Sequence, residues 1–180
     1  MLRNGSSPVA GRPALESLEP RLLLSGTLPE PIALAPPGSL VFVTSDQDTF
    51  EFAGDGWDYD IELDAGQSLT AILVSDDPTV RARLDVSGPG GVSEQATAGS
   101  GGQPVVLQTV AANSAGRYDI SATSIEGTGA FEVTVLLNAA VEAESLGLGT
   151  NDGIATAQDL AAGFIDLPGG GQLSAVASLG

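Results

Sequence analysis

The chain has 180 residues, no cysteine, no histidine, and a formal net charge of −17 from 23 acidic and 6 basic residues. That charge repels nucleic acid and anionic membranes and suits cations or cationic partners, and the missing cysteine removes both a disulfide frame and a thiolate metal site. Glycine (24) and proline (11) are abundant while aromatics are only 4%, which with many short apolar runs points to an all-β domain; no apolar run is long enough for a membrane span.

Residues 1–39 read as a leader and linker. Arg3, Arg12 and Arg21 supply half of the positive charge. The one helix-like patch, Leu15 to Ser25, is interrupted by Pro20, and its apolar core Leu22 to Leu24 is too short for a standard secretory core. Pro29, Pro31, Pro36 and Pro37 predict an extended linker. The string Leu18-Glu19-Pro20-Arg21-Leu22-Leu23-Leu24-Ser25 resembles the LEPR-x-LL domain, an N-terminal element of very large secreted or surface proteins of one bacterial phylum. The resemblance implies export or sorting; without it, the same residues read as a short amphipathic patch.

From Leu40 the chain is a series of short β-like runs, near 40–44, 48–53, 57–63, 69–75, 80–86, 92–95, 104–110, 116–123 and 129–137. The clearest is Trp57 to Asp64. Trp57, Tyr59, Ile61 and Leu63 fall on one face of a strand and Asp58, Asp60, Glu62 and Asp64 on the other, because side chains alternate. Val80, Ala82, Leu84 and Val86 alternate with Arg81, Arg83 and Asp85, and Phe131, Val133, Val135 and Leu137 with Glu132 and Thr134. Turn residues stand between the runs, as in Gly54-Asp55-Gly56, Gly88-Pro89-Gly90-Gly91 and Glu126-Gly127-Thr128-Gly129. This spacing predicts a β-sandwich over residues 40–137. The Gly- and Ser-rich gap from Ala96 to Gln103 reads as a mobile surface loop.

Three strings in this region are similar to bacterial pre-peptidase C-terminal domains: Asp48-Thr49-Phe50-Glu51-Phe52, Leu63-Asp64-Ala65-Gly66-Gln67-Ser68-Leu69-Thr70, and Ala115-Gly116-Arg117-Tyr118-Asp119-Ile120. Their order and approximate spacing follow that family, with an insertion from Ala53 to Trp57. The resemblance implies a jelly-roll-like β-sandwich.

Residues 138–150 read as a linker rich in Ala, Gly and Glu. Asn151-Asp152-Gly153-Ile154-Ala155-Thr156-Ala157-Gln158-Asp159-Leu160 then resembles the opening of a second unit of the same family. Gly38-x-Leu40-x-x-Val43-x-Ser45 recurs as Gly171-x-Leu173-x-x-Val176-x-Ser178, as an internal repeat would. Residues 151–180 are therefore expected to be the truncated start of a second unit, unable to bury enough surface to fold alone. Leu173, Val176 and Leu179 are expected to be mobile or to dock on the first sandwich.

The residues offer little catalytic chemistry. Without His, Lys or Cys, no usual base activates a serine. Asp58, Asp60, Glu62 and Asp64 could supply a carboxylate pair for glycoside cleavage, but they lie on the solvated face of one strand, where acids serve solubility and edge protection. Calcium, which takes six to eight oxygen ligands, is the cofactor to consider. Asp46, Asp48, Asp76 and Asp77 are expected in turns. Some members of the family bind Ca²⁺ through a Glu-x-Asn-Asp opening segment and Asp residues before the first core strand. That resemblance marks Asp46 and Asp48 in the first unit and Asn151 and Asp152 in the second as metal ligands. Each half-site lacks part of the pattern, and solvated turn acids are the competing reading. The expected function is a non-catalytic accessory β-sandwich in a larger secreted or cell-surface protein, serving spacing, presentation or weak binding. The alternative is a Ca²⁺-dependent module for extracellular polysaccharide or protein matrix, and a hydrolase fragment is the distant one.

Overall fold

The structure is a computed structural model that describes residues 24–34, 37–149, 152–159, 161–167 and 170–177. Eight long strands build it: β3 (Phe42–Phe50), β4 (Gly56–Leu63), β5 (Ser68–Val74), β6 (Arg81–Gly88), β7 (Val92–Thr97), β8 (Val105–Ala111), β9 (Gly116–Glu126) and β10 (Gly129–Leu137). Short strands precede them, β1 (Leu24–Ser25) and β2 (Ile32–Ala33), and follow them, β11 (Ala140–Val141), β12 (Ile165–Asp166), β13 (Gln172–Leu173) and β14 (Val176–Ala177). One sheet has the order β1-β4-β9-β6-β7 and the other β2-β3-β10-β5-β8. Counted from β3, the eight long strands lie 2-7-4-5 in the first sheet and 1-8-3-6 in the second. That is jelly-roll order, in which the chain crosses between sheets at nearly every step.

The alternating runs become the facing interiors of the two sheets. Tyr59, Ile61 and Leu63 are buried, as are Val80, Ala82, Leu84 and Val86, and Phe131, Val133, Val135 and Leu137, all in one cluster. Phe50 of β3 stacks on Phe131 of the neighbouring strand β10 with ring centroids 4.0 Å apart, on the face turned to the core. The runs near 40–44 and 48–53 merge into the single strand β3. Its polar middle, Ser45-Asp46-Gln47, resembles a turn but belongs to a strand whose outer edge is largely free.

The motifs behind the family resemblance have local physical causes. Gly66 takes a positive φ of 92°, which favours glycine, and Gln67 Oε1 accepts a bond from Asp64 N across that turn at 2.7 Å. The Tyr118 hydroxyl donates to Ser114 O at 2.9 Å, pinning the turn into β9 as a tyrosine corner does. The Ala96–Gln103 gap is more tightly held than its composition suggests: Ala98 is buried, and Ala98 N and Gly102 N donate to Ala82 O and Val80 O at 2.9 Å each.

The segment read as a linker after residue 137 packs on the sandwich. Asn138 adopts φ 61°, accepts from Ser68 N at 3.1 Å and donates to Leu40 O at 2.8 Å, so the chain turns back over the outer face of the second sheet. There Val141 and Leu146 cover Ile72 and Leu136 in a second apolar cluster. A bulge in β8 receives this segment. The β5–β8 register slips between Leu69 and Ala71, Thr109 takes φ 52°, and Thr109 N donates to Thr70 Oγ1 at 3.1 Å. Gln108 Oε1 accepts from Val141 N at 3.2 Å and from Gln158 Nε2 at 3.3 Å. Further on, β14 pairs in parallel with β11 and β12 pairs with β13. Leu173 and Val176 thus lie in short strands, the latter docked on the first sandwich, while Leu179 falls outside the described residues.

Candidate functional site

The N-terminal segment crosses the side of the sandwich where β3 and β4 are the long edge strands, pairing with only the first part of each. Its sequence was expected to be a linker, yet it carries the two short strands β1 and β2. The first runs parallel to the start of β4 (Leu24 beside Trp57, Ser25 beside Asp58), and Gly26 N donates to Asp58 O at 3.1 Å. The second runs antiparallel to β3 (Ile32 beside Val43, Ala33 beside Phe42). Between them Leu28 is buried in the core, and Thr44 Oγ1 donates to Pro29 O at 2.7 Å. Residues 24–33 are therefore a strap from one sheet to the other. Of the LEPR-x-LL string, Leu18 to Leu23 lie outside the described residues.

Under this strap sit two of the four predicted metal ligands. Asp46 and Asp48 are on β3, not in turns as expected. Both are half-buried on the face that also carries Thr44 and Phe50, while Ser45, Gln47 and Thr49 are exposed. They act on Tyr59, whose side chain is 1% exposed and whose hydroxyl has no hydrogen-bond partner. Burial first, then the charges of Asp46 and Asp48, push the Tyr59 pKa well above its usual value. Tyr59 therefore stays neutral, and its O–H remains a donor beside two carboxylates. The strap lies close here because residue 26 is glycine: a Cβ would overlap Tyr59 Cε1 and stand 3.1 Å from Asp46 Oδ2. Asp48 Oδ1 also accepts from Thr49 N at 2.8 Å.

The other predicted ligands do not join this pair. Asp152 lies in an exposed turn, and Asn151 falls outside the described residues. Asp77 holds its own turn, accepting from Thr79 N at 2.8 Å and Thr79 Oγ1 at 2.7 Å, and those bonds lower its pKa. Among the described residues no group of three or more His, Asp or Glu side chains could hold a metal. Tyr59 and Gly26 are the parts of the site that sequence reasoning missed. Tyr59 was read only as a core position, and nothing local showed that its hydroxyl would meet Asp46 and Asp48 from another sheet.

The acids on the outer face of the first sheet are arranged differently. Ser121 Oγ donates to Asp58. Arg117 bridges Asp119 at 3.0 Å and Asp60 at 3.4 Å, and Arg83 Nε and Gln95 Nε2 donate to Asp85 at 2.7 and 2.6 Å. The hydrogen bond to Asp119 first, then the Asp60 charge, raises the Arg117 pKa. Arg83–Asp85 and Arg117–Asp119 run along one strand, while Ser121–Asp58, Gln95–Asp85 and Arg117–Asp60 cross between neighbouring strands.

No protein-family model matches the sequence, and no curated protein matches it. Solved structures do. The chain is similar to PliG of Aeromonas hydrophila, a periplasmic lysozyme inhibitor of g-type lysozyme, at 17% identity over 63% of this chain and 97% of that one, with a TM-score of 0.42. It is similar to the pre-peptidase C-terminal domain of collagenase from Bacillus anthracis at 13% identity over 66% and 99%, with a TM-score of 0.43. PliG of Salmonella Typhimurium matches at 14% identity over 53% and 90%, with a TM-score of 0.38.

Proposed function

We propose that the chain is a non-catalytic accessory β-sandwich of a secreted or cell-surface protein, serving spacing, presentation or weak binding. The observation that carries this reading is the arrangement of the acids: on the outer face of the first sheet Asp85 pairs with Arg83, and Asp60 and Asp119 share Arg117, over an interior filled by apolar side chains. No helix among the described residues is long and apolar enough to cross a membrane. The test has two parts. The purified chain should hydrolyse no peptide, ester or glycoside probe faster than buffer, and antibody should label it on unpermeabilised cells of its source. Turnover that collapses in Asp58→Asn, or labelling only after permeabilisation, would contradict the reading.

A second reading, Ca²⁺-dependent binding to extracellular polysaccharide or protein matrix, is favoured by one specific observation. Asp46 and Asp48 share a face beside the unpartnered hydroxyl of Tyr59 and the strap backbone at Gly26. The residues fit a cation in kind, as hard oxygen donors; two carboxylates alone supply fewer ligands than Ca²⁺ takes. Millimolar CaCl₂ should raise the melting temperature by linkage, and Asp46→Asn with Asp48→Asn should abolish the rise. No rise in the parent protein, with MgCl₂ as control, removes this reading.

A further inference from the structure

The strap leaves a pocket beside β4. Strand β1 follows β4 only as far as Asp58, and the strap then swings away to reach β3, where Pro29 O accepts from Thr44 Oγ1. The space between them is a pocket of about 360 Å³, within the range of small-ligand sites. Its apolar lining includes Leu28, Phe42 and Ile61, and Glu30, Glu62 and Asp64 line it as well, with exposed carboxylates.

The backbone of β4 also faces this pocket. In an antiparallel strand the N–H and C=O of one residue point to the same side, and successive residues alternate sides. Asp58 O accepts from the strap, and Gly56 N and Asp64 N bond to the side chains of Asp55 and Gln67. The even-numbered residues of this stretch therefore point away from β9. By the same parity the N–H and C=O groups of Asp60 and Glu62 point into the gap, and among the described residues no strand pairs with β4 there. Asp60, Ile61 and Glu62 all line the pocket, as expected when it lies along a strand edge rather than on one face.

We propose that this pocket receives a long basic side chain, lysine or arginine, from a protein partner. The methylene stem rests on Leu28, Phe42 and Ile61, as such stems do on apolar surface. The charged head then lies among the rim carboxylates and the edge carbonyls of Asp60 and Glu62. Asp60 already bridges Arg117, and Glu62 lies opposite Arg117 across the β4–β9 pair and feels its charge, so Glu30 and Asp64 supply most of the complementary charge and Glu62 the rest. A protein is the source committed to because the unpaired edge offers main-chain partners to a peptide backbone as well. This deepens the binding part of the function proposed above and does not depend on calcium.

The test is an NMR titration of the full chain in EDTA with the peptide acetyl-Ala-Lys-Ala-amide. The expected result is millimolar binding with amide shifts confined to residues near 28, 42 and 60–64. The norleucine peptide, which keeps the stem and loses the charge, should bind at least about tenfold more weakly. Ammonium chloride, which keeps the charge and loses the stem, should give no localised shift. Glu62→Gln with Asp64→Asn should weaken the lysine peptide at least about tenfold, whereas Asp58→Asn with Asp85→Asn on the outer face should leave it unchanged. Absence of binding, equal binding of the norleucine peptide, or shifts spread over the outer acidic face would overturn the proposal. Because EDTA is present, its failure is separate from that of the calcium reading, and the substrate panel judges catalysis independently.

Discussion

Leu84 and Arg83 are neighbours with opposite surroundings. Leu84 is fully buried between the sheets, and Arg83 reaches along the outer face to Asp85. Leu84→Ala should cost about 2–5 kcal/mol and Arg83→Ala less than about 1 kcal/mol, since exposed ion pairs contribute little. Equal small losses in denaturant melts would show that the strand register is wrong. Tyr59 makes a subtler case. A buried hydroxyl without a partner costs about 1–3 kcal/mol, so in calcium-free buffer Tyr59→Phe should stabilise the fold by about 1 kcal/mol. It should also change the alkaline limb. The folded-state pKa of Tyr59 lies above its unfolded value. Below pH of about 10 neither state ionises Tyr59; above it the unfolded chain releases a proton that the folded chain keeps, and stability falls as pH rises. Melts from pH 9 to 11 should therefore decline less steeply for Tyr59→Phe than for the parent. Identical slopes would show that Tyr59 titrates normally.

At the scale of elements, legibility followed whether the pairing partner left a local pattern. The strands around Tyr59, Leu84 and Val133 alternate because one face of each is buried and the other hydrated, and period two is visible in any short window. The strand β5 shows the limit. Ser68-Leu69-Thr70-Ala71-Ile72-Leu73 is buried throughout, and such a run signals cover on both faces. That signal could have revealed that residues 138–146 lie over the second sheet. The strap was harder to see. Its strands are only two residues long each, prolines give it the look of a linker, and its anchors are scattered: Gly26 against Tyr59, Leu28 in the core and Pro29 O on Thr44. Gly26→Val, whose side chain would overlap Tyr59, should loosen the strap and leave the sandwich folded. Amides of residues 32–34 should then exchange faster than in the parent, while those of β9 keep their protection. Unchanged exchange at 32–34 would show that the Gly26–Tyr59 approach does not hold the strap. The candidate site was half legible for a related reason. Asp46 and Asp48 were found as acids, but Tyr59 reaches them only after β3 and β4 have entered different sheets.

On the scale of the whole molecule, a jelly roll of this order places β3 and β4 at neighbouring edges of opposite sheets, and that side carries both the Asp46–Asp48–Tyr59 group and the pocket beside Asp60 and Glu62. The outward-facing acids of the first sheet spread their charge over that face, which is what the spacing role proposed above calls for. The reading rests on β4 having one paired edge and one edge left open by a strap that turns away. Residue-resolved amide exchange of the full chain measures this most directly. Tyr59, Ile61 and Leu63, whose amides face β9, should exchange slowly, and Asp60 and Glu62, whose amides face the pocket, should exchange on the timescale of exposed loops. Protection at Asp60 and Glu62 equal to that of their neighbours would mean that this edge is already paired, contradicting both the open side and the binding role assigned to it.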